Sequence, residues 1–298
     1  MKIRNKKILC VGEILWDNLP SGAKPGGAPM NVALHLNNIG QDVAIASKVG
    51  DDEKGRKLLN FLETSGLKTG LIQVDESLPT SEVLVHLDAS NNATYEICEP
   101  VAWDNLELTG SLAAKAKDSG LIIYGTLASR NEASRNTLLR LLENDAVRLV
   151  DVNLRKPYDT KEIVEMLLLK SDIVKLNDDE LAVLARWHDQ FSFDERSMVE
   201  WFAKQFNSQM IIVTKGDKGA LLYSGGEFFS HPGFIVEAVD TVGAGDAFLA
   251  GFIAAIFEGK SNEEALKFAC AAGAFVASKA GATPEYDKFE IEQLLISK

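Results

Sequence analysis

The sequence predicts an α/β fold in which a parallel sheet carries helices on both faces. Short apolar runs, such as residues 8–12 and 121–124, alternate along the chain with segments of helical periodicity, such as residues 134–143. Strands that read as continuous apolar runs are typical of sheets buried on both faces, and their alternation with helices indicates parallel crossover connections. The length of 298 residues suits one large domain, or one with a small appendage.

The predicted elements follow one another in a regular order. Apolar runs bounded by glycine or polar residues indicate strands, and apolar residues spaced by three and four positions indicate helices. Gly40 and Gly259, just beyond two of the helical patterns, are expected helix ends. The predicted strands are 8–12, 43–49, 121–124, 148–152, 173–176, 210–213 and 234–239, and the predicted helices are 30–39, 53–65, 134–143, 161–169 and 247–257.

One region interrupts the alternation of strands and helices. Residues 80–95 contain two strand-like runs around a polar turn at residues 90–93, which is the pattern of a β-hairpin. Residues 15–24 also lack helical periodicity. The two segments either form a small sheet that stands off the main domain as a lid, or extend an edge of the main sheet, and the pattern alone leaves both interpretations open.

The charge and cysteine content argue against several classes of function. A net charge of −12 disfavours nucleic acids and anionic membrane surfaces as partners, since both attract basic proteins. The three cysteines and four histidines are scattered without disulfide or metal-ligand spacing, so we expect reduced thiols, a cytoplasmic protein and no role for the histidines. The first apolar run ends at Glu13, which indicates a strand rather than a signal peptide, and no stretch approaches the ~18 apolar residues of a membrane span.

The run DTVGAGDAF, residues 240–248, carries the strongest local signal. It precedes a helix that is apolar on every side and must therefore be buried. Glycines at a helix N-terminus leave backbone N–H groups open toward an anion, which suits the charge that develops on a phosphoryl group during transfer. Asp246 would then accept the proton of an attacking hydroxyl, although an aspartate in a first helical turn is by itself more often a cap. The chain has neither a Rossmann glycine fingerprint nor a Walker A motif.

A second glycine-rich run, GGAPMNVA at residues 26–33, lies far from the first. Gly26 and Gly27 permit a ligand to approach the backbone closely, and Asn31 can both donate to and accept from neighbouring hydroxyl groups. The other interpretation is a glycine–proline turn in which Asn31 caps the following helix. The residues alone leave both open.

Polar side chains also follow three of the predicted strands, at the edge where open α/β sheets bind ligands. Asp17 would accept two hydroxyl hydrogen bonds or remain a solvated loop residue. Arg155 would clamp a phosphate or form a surface ion pair. Asn177 and Glu180 are spaced by three, so they share a face of a helix that begins there, and the same spacing fits a capping box.

The two glycine-rich runs, extended to GGAPMNVALHLNNIG and DTVGAGDAFLAGF, resemble in sequence and in order the two signatures of the ribokinase-like (PfkB) family of carbohydrate kinases. Five shorter segments resemble bacterial fructokinases within that family. These segments are GEILWD (12–17), YEICEPVAWD (95–104), DVNLRKPYD (151–159), KLNDDE (175–180) and TKGDKG (214–219). The similarity extends from residue 8 to about residue 284, which is nearly the whole chain.

The resemblance implies a single ribokinase-like domain over residues 1–298. It would have a three-layer α/β/α core with a mostly parallel central sheet, and a small β-sheet lid at about residues 13–26 and 80–102. The implied reaction is transfer of the γ-phosphoryl group of ATP to a sugar hydroxyl, with Mg²⁺. Asp246 would be the base. The backbone N–H groups implied to form the anion hole are those of Gly243, Ala244 and Gly245, and the implied substrate contacts are Asp17, Gly26, Gly27, Asn31 and Arg155.

The resemblance also implies a nucleotide site and metal ions. Glu180 would organise Mg²⁺ through water, and Asp240 with Val242 would hold a monovalent cation, for which K⁺ is the candidate. Many relatives have asparagine at the position of Cys270, so the adenine contact here would be apolar or through sulfur. The implied ATP contacts are Asn177, Thr214, Gly216, Gly219, Cys270 and Ala274.

The most concrete activity that these residues imply is the conversion of fructose to fructose 6-phosphate. Alternatives in the same class are kinases of another sugar, of a sugar acid such as 2-keto-3-deoxygluconate, or of a nucleoside. A different class is a sugar-binding regulator without catalysis, and the presence of Asp246, Asn177 and Glu180 argues against it because binding alone needs no phosphate machinery. Lid edges in this family often pair across a dimer, so we also expect a homodimer.

Overall fold

The computed structural model describes residues 3–19, 22–87, 93–190 and 194–296, apart from the side chains of residues 19, 85–87 and 93–95. The strands are β1 (Lys7–Val11), β2 (Leu15–Leu19), β3 (Gly22–Gly26), β4 (Asp42–Gly50), β5 (Ile72–Asp75), β6 (Glu82–Leu87), β7 (Ala93–Ile97), β8 (Leu121–Gly125), β9 (Val147–Asp151), β10 (Ile173–Asn177), β11 (Met210–Thr214), β12 (Ala220–Ser224) and β13 (Glu227–His231). The α-helices are α1 (Ala28–Asn38), α2 (Glu53–Thr64), α3 (Gly110–Asp118), α4 (Glu132–Leu141), α5 (Lys161–Leu168), α6 (Asp178–Arg186), α7 (Glu195–Phe206), α8 (Ala244–Phe257), α9 (Asn262–Ala277) and α10 (Lys288–Ile296).

A mostly parallel sheet forms the middle of the fold. Within the described ranges it has nine strands in the order β13-β12-β11-β10-β9-β8-β1-β4-β5. The strands from β11 to β5 in this order run parallel, and β12 and β13 add antiparallel pairings at one edge. The carboxyl ends of parallel strands meet at one edge of a sheet, so the residues that follow β1, β9, β10 and β11 are brought together there.

Helices cover both faces of this sheet, as the apolar strand patterns predict. Ile8 and Cys10 of β1 belong to a core shared with α1, α8 and α9, whereas Leu9 and Val11 belong to a second core shared with α4, α5 and α7. Successive side chains of a strand point to opposite faces, so each buried strand contributes to both cores. The predicted three-layer α/β/α arrangement is confirmed.

The two segments without helical periodicity form a separate small sheet rather than an extension of the main one. Its strands pair in the order β3-β2-β6-β7, with antiparallel hairpins β2–β3 and β6–β7 joined by a parallel β2–β6 pairing. The predicted lid segments, 13–26 and 80–102, contain all four strands. Residues 20–21 and 88–92 of these segments, including most of the predicted turn at 90–93, lie outside the described residues.

Residues 234–239, predicted as a strand, have no regular secondary structure. The segment leaves the sheet after β13, and the side chain of Ile235 is fully exposed. Apolar alternation does not separate a strand from an extended segment that borders a cavity, which is the position this segment takes. The starts of α1 and α8 also come earlier than predicted, because their first turns consist of small residues and a proline that show no apolar period.

Helix α8 is central to the packing. Ten of its fourteen residues are buried, and it packs against both α1 and α9. Gly251 makes the α9 contact close, since a Cβ at this position would lie 2.8 Å from the Cβ of Ala272. In the described part of the chain, no helix combines the length and apolar character needed to cross a membrane.

Truncation of Phe252 to alanine should lower the free energy of unfolding by about 3–5 kcal/mol, because the removed ring leaves a cavity beside α8. Phe252 is 1% exposed, whereas Phe289 is 63% exposed and provides the matched Phe289→Ala control. The control should change stability by less than about 0.5 kcal/mol. Urea unfolding followed by circular dichroism measures both variants, and equal losses would contradict the central position of α8.

Candidate active site

A glycine that accepts no side chain shapes the N-terminus of α8. Gly243 is the N-cap with a φ of 78°, and a Cβ there would lie 2.2 Å from the carbonyl oxygen of Ala282. The first N–H groups of a helix have no intrahelical acceptor and attract anions. Of the three amides predicted for the anion hole, that of Ala244 donates to the carbonyl of Thr241 over 3.3 Å. The amides of Gly243 and Gly245 have no such bond within the described residues.

Asp246 lies in the first turn of α8 but does not cap the helix. Its Oδ2 instead accepts a hydrogen bond from Nδ2 of Asn31 on α1 at 2.8 Å, and no side chain caps α8. The capping interpretation is therefore wrong for this residue. Burial raises the pKa of Asp246 to about 7, against the opposing positive charge of Lys175. A carboxyl group with this pKa is suited to accept a proton near neutral pH.

Asn31 also lies inside a helix rather than at its cap. The N-cap of α1 is Gly27, whose carbonyl accepts from the Asn31 backbone N–H at 2.9 Å. The Asn31 side chain is free to reach Asp246, while its own Oδ1 is buried with no hydrogen-bond partner among the described residues. A buried acceptor without a donor is unfavourable, and the hydroxyl group of a ligand would satisfy it.

The two glycines before α1 make room for groups of the protein itself. A Cβ on Gly26 would lie 2.1 Å from Oδ2 of Asp17, and a Cβ on Gly27 would lie 2.4 Å from the carbonyl oxygen of Glu13. A side chain at either glycine would therefore overlap with Asp17 or with the Glu13 carbonyl, and the approach of a ligand to this backbone stays a prediction. Burial raises the pKa of Asp17, and the positive charge of Arg155 opposes the rise.

Arg155 is an exposed cation that faces the same region. Its Nη1 donates to the carbonyl of Leu154 at 3.0 Å, and it forms no ion pair within the described residues. The surface ion pair considered for it is therefore absent there. Burial raises the pKa of Asp17, Glu13 and Asp246, and the positive charge of Arg155 opposes the rise in all three, so its guanidinium lies within electrostatic reach of these carboxyl groups.

The capping box considered for Asn177 and Glu180 is present. Oδ1 of Asn177 accepts from the Glu180 amide at 2.8 Å, and Oε2 of Glu180 accepts from the Asn177 amide at 2.9 Å. Oε1 of Glu180 accepts from the Leu154 amide at 2.9 Å, so the residue also ties the loop after β9 to α6. Both carboxylate oxygens hold backbone donors, which fits contact with a metal through water rather than direct ligation.

A cavity of about 540 Å³ adjoins the N-terminus of α8. Its volume is in the range of small-molecule and cofactor sites. Five of the six predicted ATP contacts line it, together with Ala244 and Gly245 of the predicted anion hole. These five contacts are Thr214, Gly216, Gly219, Cys270 and Ala274. Asn177 does not line it and lies with Arg155 and Glu180 on a separate groove.

Part of the wall of this cavity is apolar. Ile235, Val236 and Phe248 line it opposite the small residues of α9. Burial raises the pKa of the Cys270 thiol to about 12, so sulfur is present there as a neutral, weakly polar group. Lys215, at the adjoining turn, forms an ion pair with Glu195 at 3.1 Å.

Asp240 fixes the loop that leads into α8. Its Oδ1 accepts from the Val242 amide at 3.0 Å and its Oδ2 accepts from the Gly281 amide at 3.2 Å. Within the described residues, no cluster of three or more histidine, cysteine, aspartate or glutamate side chains is placed to hold a metal ion. The monovalent ion expected at Asp240 and Val242 stays a prediction.

His35, to which the sequence assigned no role, supports this loop. Its Nε2 lies 3.0 Å from the carbonyl oxygen of Ala282, and its Nδ1 lies 2.9 Å from the hydroxyl of Tyr286. Burial lowers the pKa of His35 to about 4, so the ring is neutral at pH 7, donates from Nε2 and accepts from Tyr286. The same Ala282 oxygen abuts Gly243. No sequence signal marks this residue, because its partners are about 250 positions away.

Three further ionisable residues near Asp246 were not predicted as site residues. Lys175 is buried in an ion pair with Asp151, its Nζ lying 2.8 and 3.0 Å from the two carboxylate oxygens. Glu13 is 2% exposed and its Oε2 has no partner among the described residues. Burial raises the pKa of Glu13 to about 7. The sequence feature that could have identified them is their position at or just after the ends of β1, β9 and β10, since these strand ends meet at one edge of the sheet.

The sequence and fold are similar to those of known sugar kinases. Residues 22–288 match the model of the pfkB family carbohydrate kinases. The chain is 30% identical to "Fructokinase-2" of Oryza sativa subsp. japonica, over 98% of this chain and 94% of that protein. It superimposes on a fructokinase from Xylella fastidiosa with bound ATP (TM-score 0.85, 22% identity, 98% of each chain). It also superimposes on an uncharacterized sugar kinase from Pyrococcus horikoshii in complex with ATP (TM-score 0.81, 26% identity, 95% of this chain and 96% of that one).

The chain belongs to the pfkB family of carbohydrate kinases, since the family model matches most of its length. It is accordingly a phosphotransferase that acts on a sugar hydroxyl. The family resemblance read from the two glycine-rich runs is confirmed.

Gly243→Ala should abolish most activity, because the new Cβ must displace the Ala282 carbonyl and with it the start of α8. The matched control is Gly259→Ala at the other end of α8, where φ is 81° and nothing lies within 4 Å of an added Cβ. In both variants an alanine must adopt a left-handed backbone conformation, which costs about 1–2 kcal/mol. Only Gly243→Ala should also disturb the predicted anion site. Steady-state kinetics with thermal unfolding separates the two effects, and equal activity in both variants would contradict the role of Gly243.

Proposed function

We propose that this chain transfers the γ-phosphoryl group of ATP to a sugar hydroxyl, with Asp246 as the general base. The observation that carries the proposal is the position of Asp246 at a junction. On one side, its neighbours Ala244 and Gly245 line the 540 Å³ cavity proposed for ATP. On the other side, its carboxylate accepts a hydrogen bond from Asn31. The Oδ1 atom of Asn31 is buried and has no hydrogen-bond donor among the described residues.

Proton transfer would use the carboxylate of Asp246, and phosphoryl transfer would use backbone amides of the same helical turn. The sugar hydroxyl oxygen bonds to the γ-phosphorus while the bond from that phosphorus to the bridging oxygen breaks and ADP leaves. The hydroxyl proton passes to the carboxylate of Asp246. The amides of Gly243 and Gly245, with the helix dipole, stabilise the charge on the transferred group. Arg155 would supply a positive charge on the sugar side.

Mg²⁺ would enter with the nucleotide, since it keeps several waters and takes few protein ligands. Glu180, whose two oxygens already hold backbone amides, fits a contact through water. When bound, the ion would neutralise charge on the β- and γ-phosphates. K⁺ near Asp240 and Val242 is a further proposal, supported by the hydrogen bonds through which Asp240 orders that turn.

Fructose is the proposed substrate, with fructose 6-phosphate as the product. Its support is the name of the relatives above and the carboxylate and amide side chains of Asp17 and Asn31, which suit neutral hydroxyl groups. One observation favours a second candidate, a sugar acid such as 2-keto-3-deoxygluconate. The guanidinium of Arg155 has no acidic partner among the described residues, and it would pair with a substrate carboxylate.

The small sheet is proposed to act as a lid over the sugar, covering the site from water that would otherwise accept the phosphoryl group. Its outer strands β3 and β7 have one partner each within the described residues, which supports a homodimer formed by pairing of lid edges. The three free cysteines support a reducing, cytoplasmic location.

Release of ADP from ATP and Mg²⁺ across a panel of hexoses, pentoses, sugar acids and nucleosides tests the proposal. Turnover with fructose, and a far lower kcat/KM with the other compounds, is the expected result. Preference for the sugar acid would shift the assignment to the second candidate, and a nucleoside preference would overturn both. A chain that binds sugar but turns over nothing would be a regulator.

Asp246→Asn should lower kcat by about 10²–10⁴-fold, because the amide cannot accept the hydroxyl proton. The amide keeps the size of the side chain, so folding should be retained, as thermal unfolding would show. Asp118→Asn, which alters an exposed partner of Lys7, is the matched control and should keep wild-type kinetics. Near-wild-type turnover by Asp246→Asn would show that the base is another group.

The kcat/KM for the sugar, at saturating ATP and Mg²⁺, should rise with pH and reach half its maximum near pH 7. Asp246 must be ionised to accept a proton, and burial raises its pKa to about 7, so activity is lost as the pH falls through that value. A pH series from 5 to 9 measures the midpoint. A rate that stays constant down to pH 5 would contradict the assignment.

A further inference from the structure

A buried ion pair lies beneath the first turn of α8. Lys175 of β10 and Asp151 of β9 are paired in register on adjacent parallel strands, so their side chains project from the same face of the sheet. The pair is 2.8 Å long, and its side chains are 10% and 6% exposed. A Cβ built on Gly245 would lie 3.3 Å from Nζ of Lys175, so the ammonium abuts the backbone of the proposed anion hole.

Charged and polar groups from several elements face Asp246. Lys175 and Asp151 approach from the sheet, and Glu13 and Asn31 approach from the end of β1 and from α1. Arg155 adds a positive charge from the loop after β9. Burial is the main cause that raises the pKa of Asp246. Among the neighbouring groups Lys175 opposes it most, while Asp151 adds to it.

Lys175 keeps its charge in this position. Burial alone would lower the pKa of its ammonium, but Asp151, Asp246 and Glu180 together raise it above the ordinary value. A charge that has been removed from water persists only when opposite charges compensate it, and the carboxyl groups of Asp151, Asp246 and Glu180 do so together, so the ammonium keeps anionic neighbours when Asp151 is replaced. A second buried pair, Lys48 with Asp75 at 2.8 Å, shows that this chain also uses such pairs away from α8.

We propose that Lys175 is a positioning residue for the phosphoryl-transfer site, which supports the Gly245 backbone and favours the ionised form of Asp246, and that Asp151 sets the strength of this effect. The inference rests on the proposed function and deepens it, since it identifies what makes the base available at neutral pH. Lys175 acts through Asp246 and α8 and is not assigned a contact with substrate.

The two partners should have opposite effects on the pH dependence of kcat/KM for the sugar. Lys175→Met removes the cation, so the midpoint should move upward by about one pH unit. The rate at pH 7 should then fall by about fivefold and recover at pH 9, as the ionised fraction of a base with a pKa near 8 requires. Asp151→Asn removes the opposing anion, so the midpoint should move downward and the rate at pH 6 should rise relative to that at pH 9.

The matched control is Lys48→Met, which breaks the other buried lysine–aspartate pair. Lys48 contacts Asp75, Glu107 and the carbonyl of Asn105, which lie in β5 and in the segment between β7 and α3 rather than in the elements that carry Asp246 and Lys175. This variant should lose stability without any change in the pH midpoint. A purely structural Lys175 would behave in the same way as Lys48, with a reduced rate at every pH.

Each outcome of the experiment decides the proposal. Opposite shifts of the midpoint support it, and unchanged midpoints in both variants overturn it. If Lys175→Met does not fold, the neutral double variant Lys175→Met/Asp151→Asn and the single Asp151→Asn still carry the test. The double variant should then have a midpoint above that of Asp151→Asn.

If Asp246→Asn retains activity, the proposed function itself fails. If Asp246→Asn is inactive and the pH midpoints of the Lys175 and Asp151 variants are unchanged, only the role of Lys175 is removed.

Discussion

The dehydration of one carboxylate at the start of a buried helix is the constraint on which the site depends. Helix α8 is apolar on nearly every side and must lie between α1 and α9, so its first turn is drawn into the protein with Asp246 on it. A carboxyl group in that position holds its proton more strongly than one in water. The surrounding amide, ammonium and guanidinium groups then limit how far the pKa of Asp246 rises. Packing and chemistry are therefore set by the same helix.

Steric exclusion gives the site its shape. Gly26, Gly27 and Gly243 each lie so close to another group of the chain that a Cβ would overlap with it. At Gly243 the neighbouring carbonyl is held in turn by the neutral ring of His35, which Tyr286 orients from the other side. Gly27 and Gly243 thus allow close contact between separate segments of the backbone, and Gly26 leaves room for the Asp17 carboxylate. The amides at the start of α8 are placed by the contact at Gly243 rather than by their own turn alone.

Much of the fold and part of the site were accessible from the sequence, because both produce local patterns. The apolar strands, the all-round apolar α8 and the three-residue spacing of Asn177 and Glu180 each follow from neighbours along the chain. The segment 234–239 was misjudged, since an apolar run has the same appearance in a strand and along a cavity wall. His35 had no local signal, and strand position alone did not show that Lys175 pairs with Asp151, because these contacts arise only when strands and helices from separate regions meet.

The central claim is that Asp246 is protonated and deprotonated near neutral pH in the free protein. Carbon-13 NMR of protein labelled at the aspartate carboxyl groups tests this directly, with the Asp246 signal assigned by its absence from Asp246→Asn. A titration midpoint near pH 7 is expected, because burial raises the pKa of Asp246 to about 7. A midpoint near the ordinary aspartate value of about 4 would contradict the claim. It would mean that water or charge reaches the carboxylate to a degree that the packing of α8 does not allow.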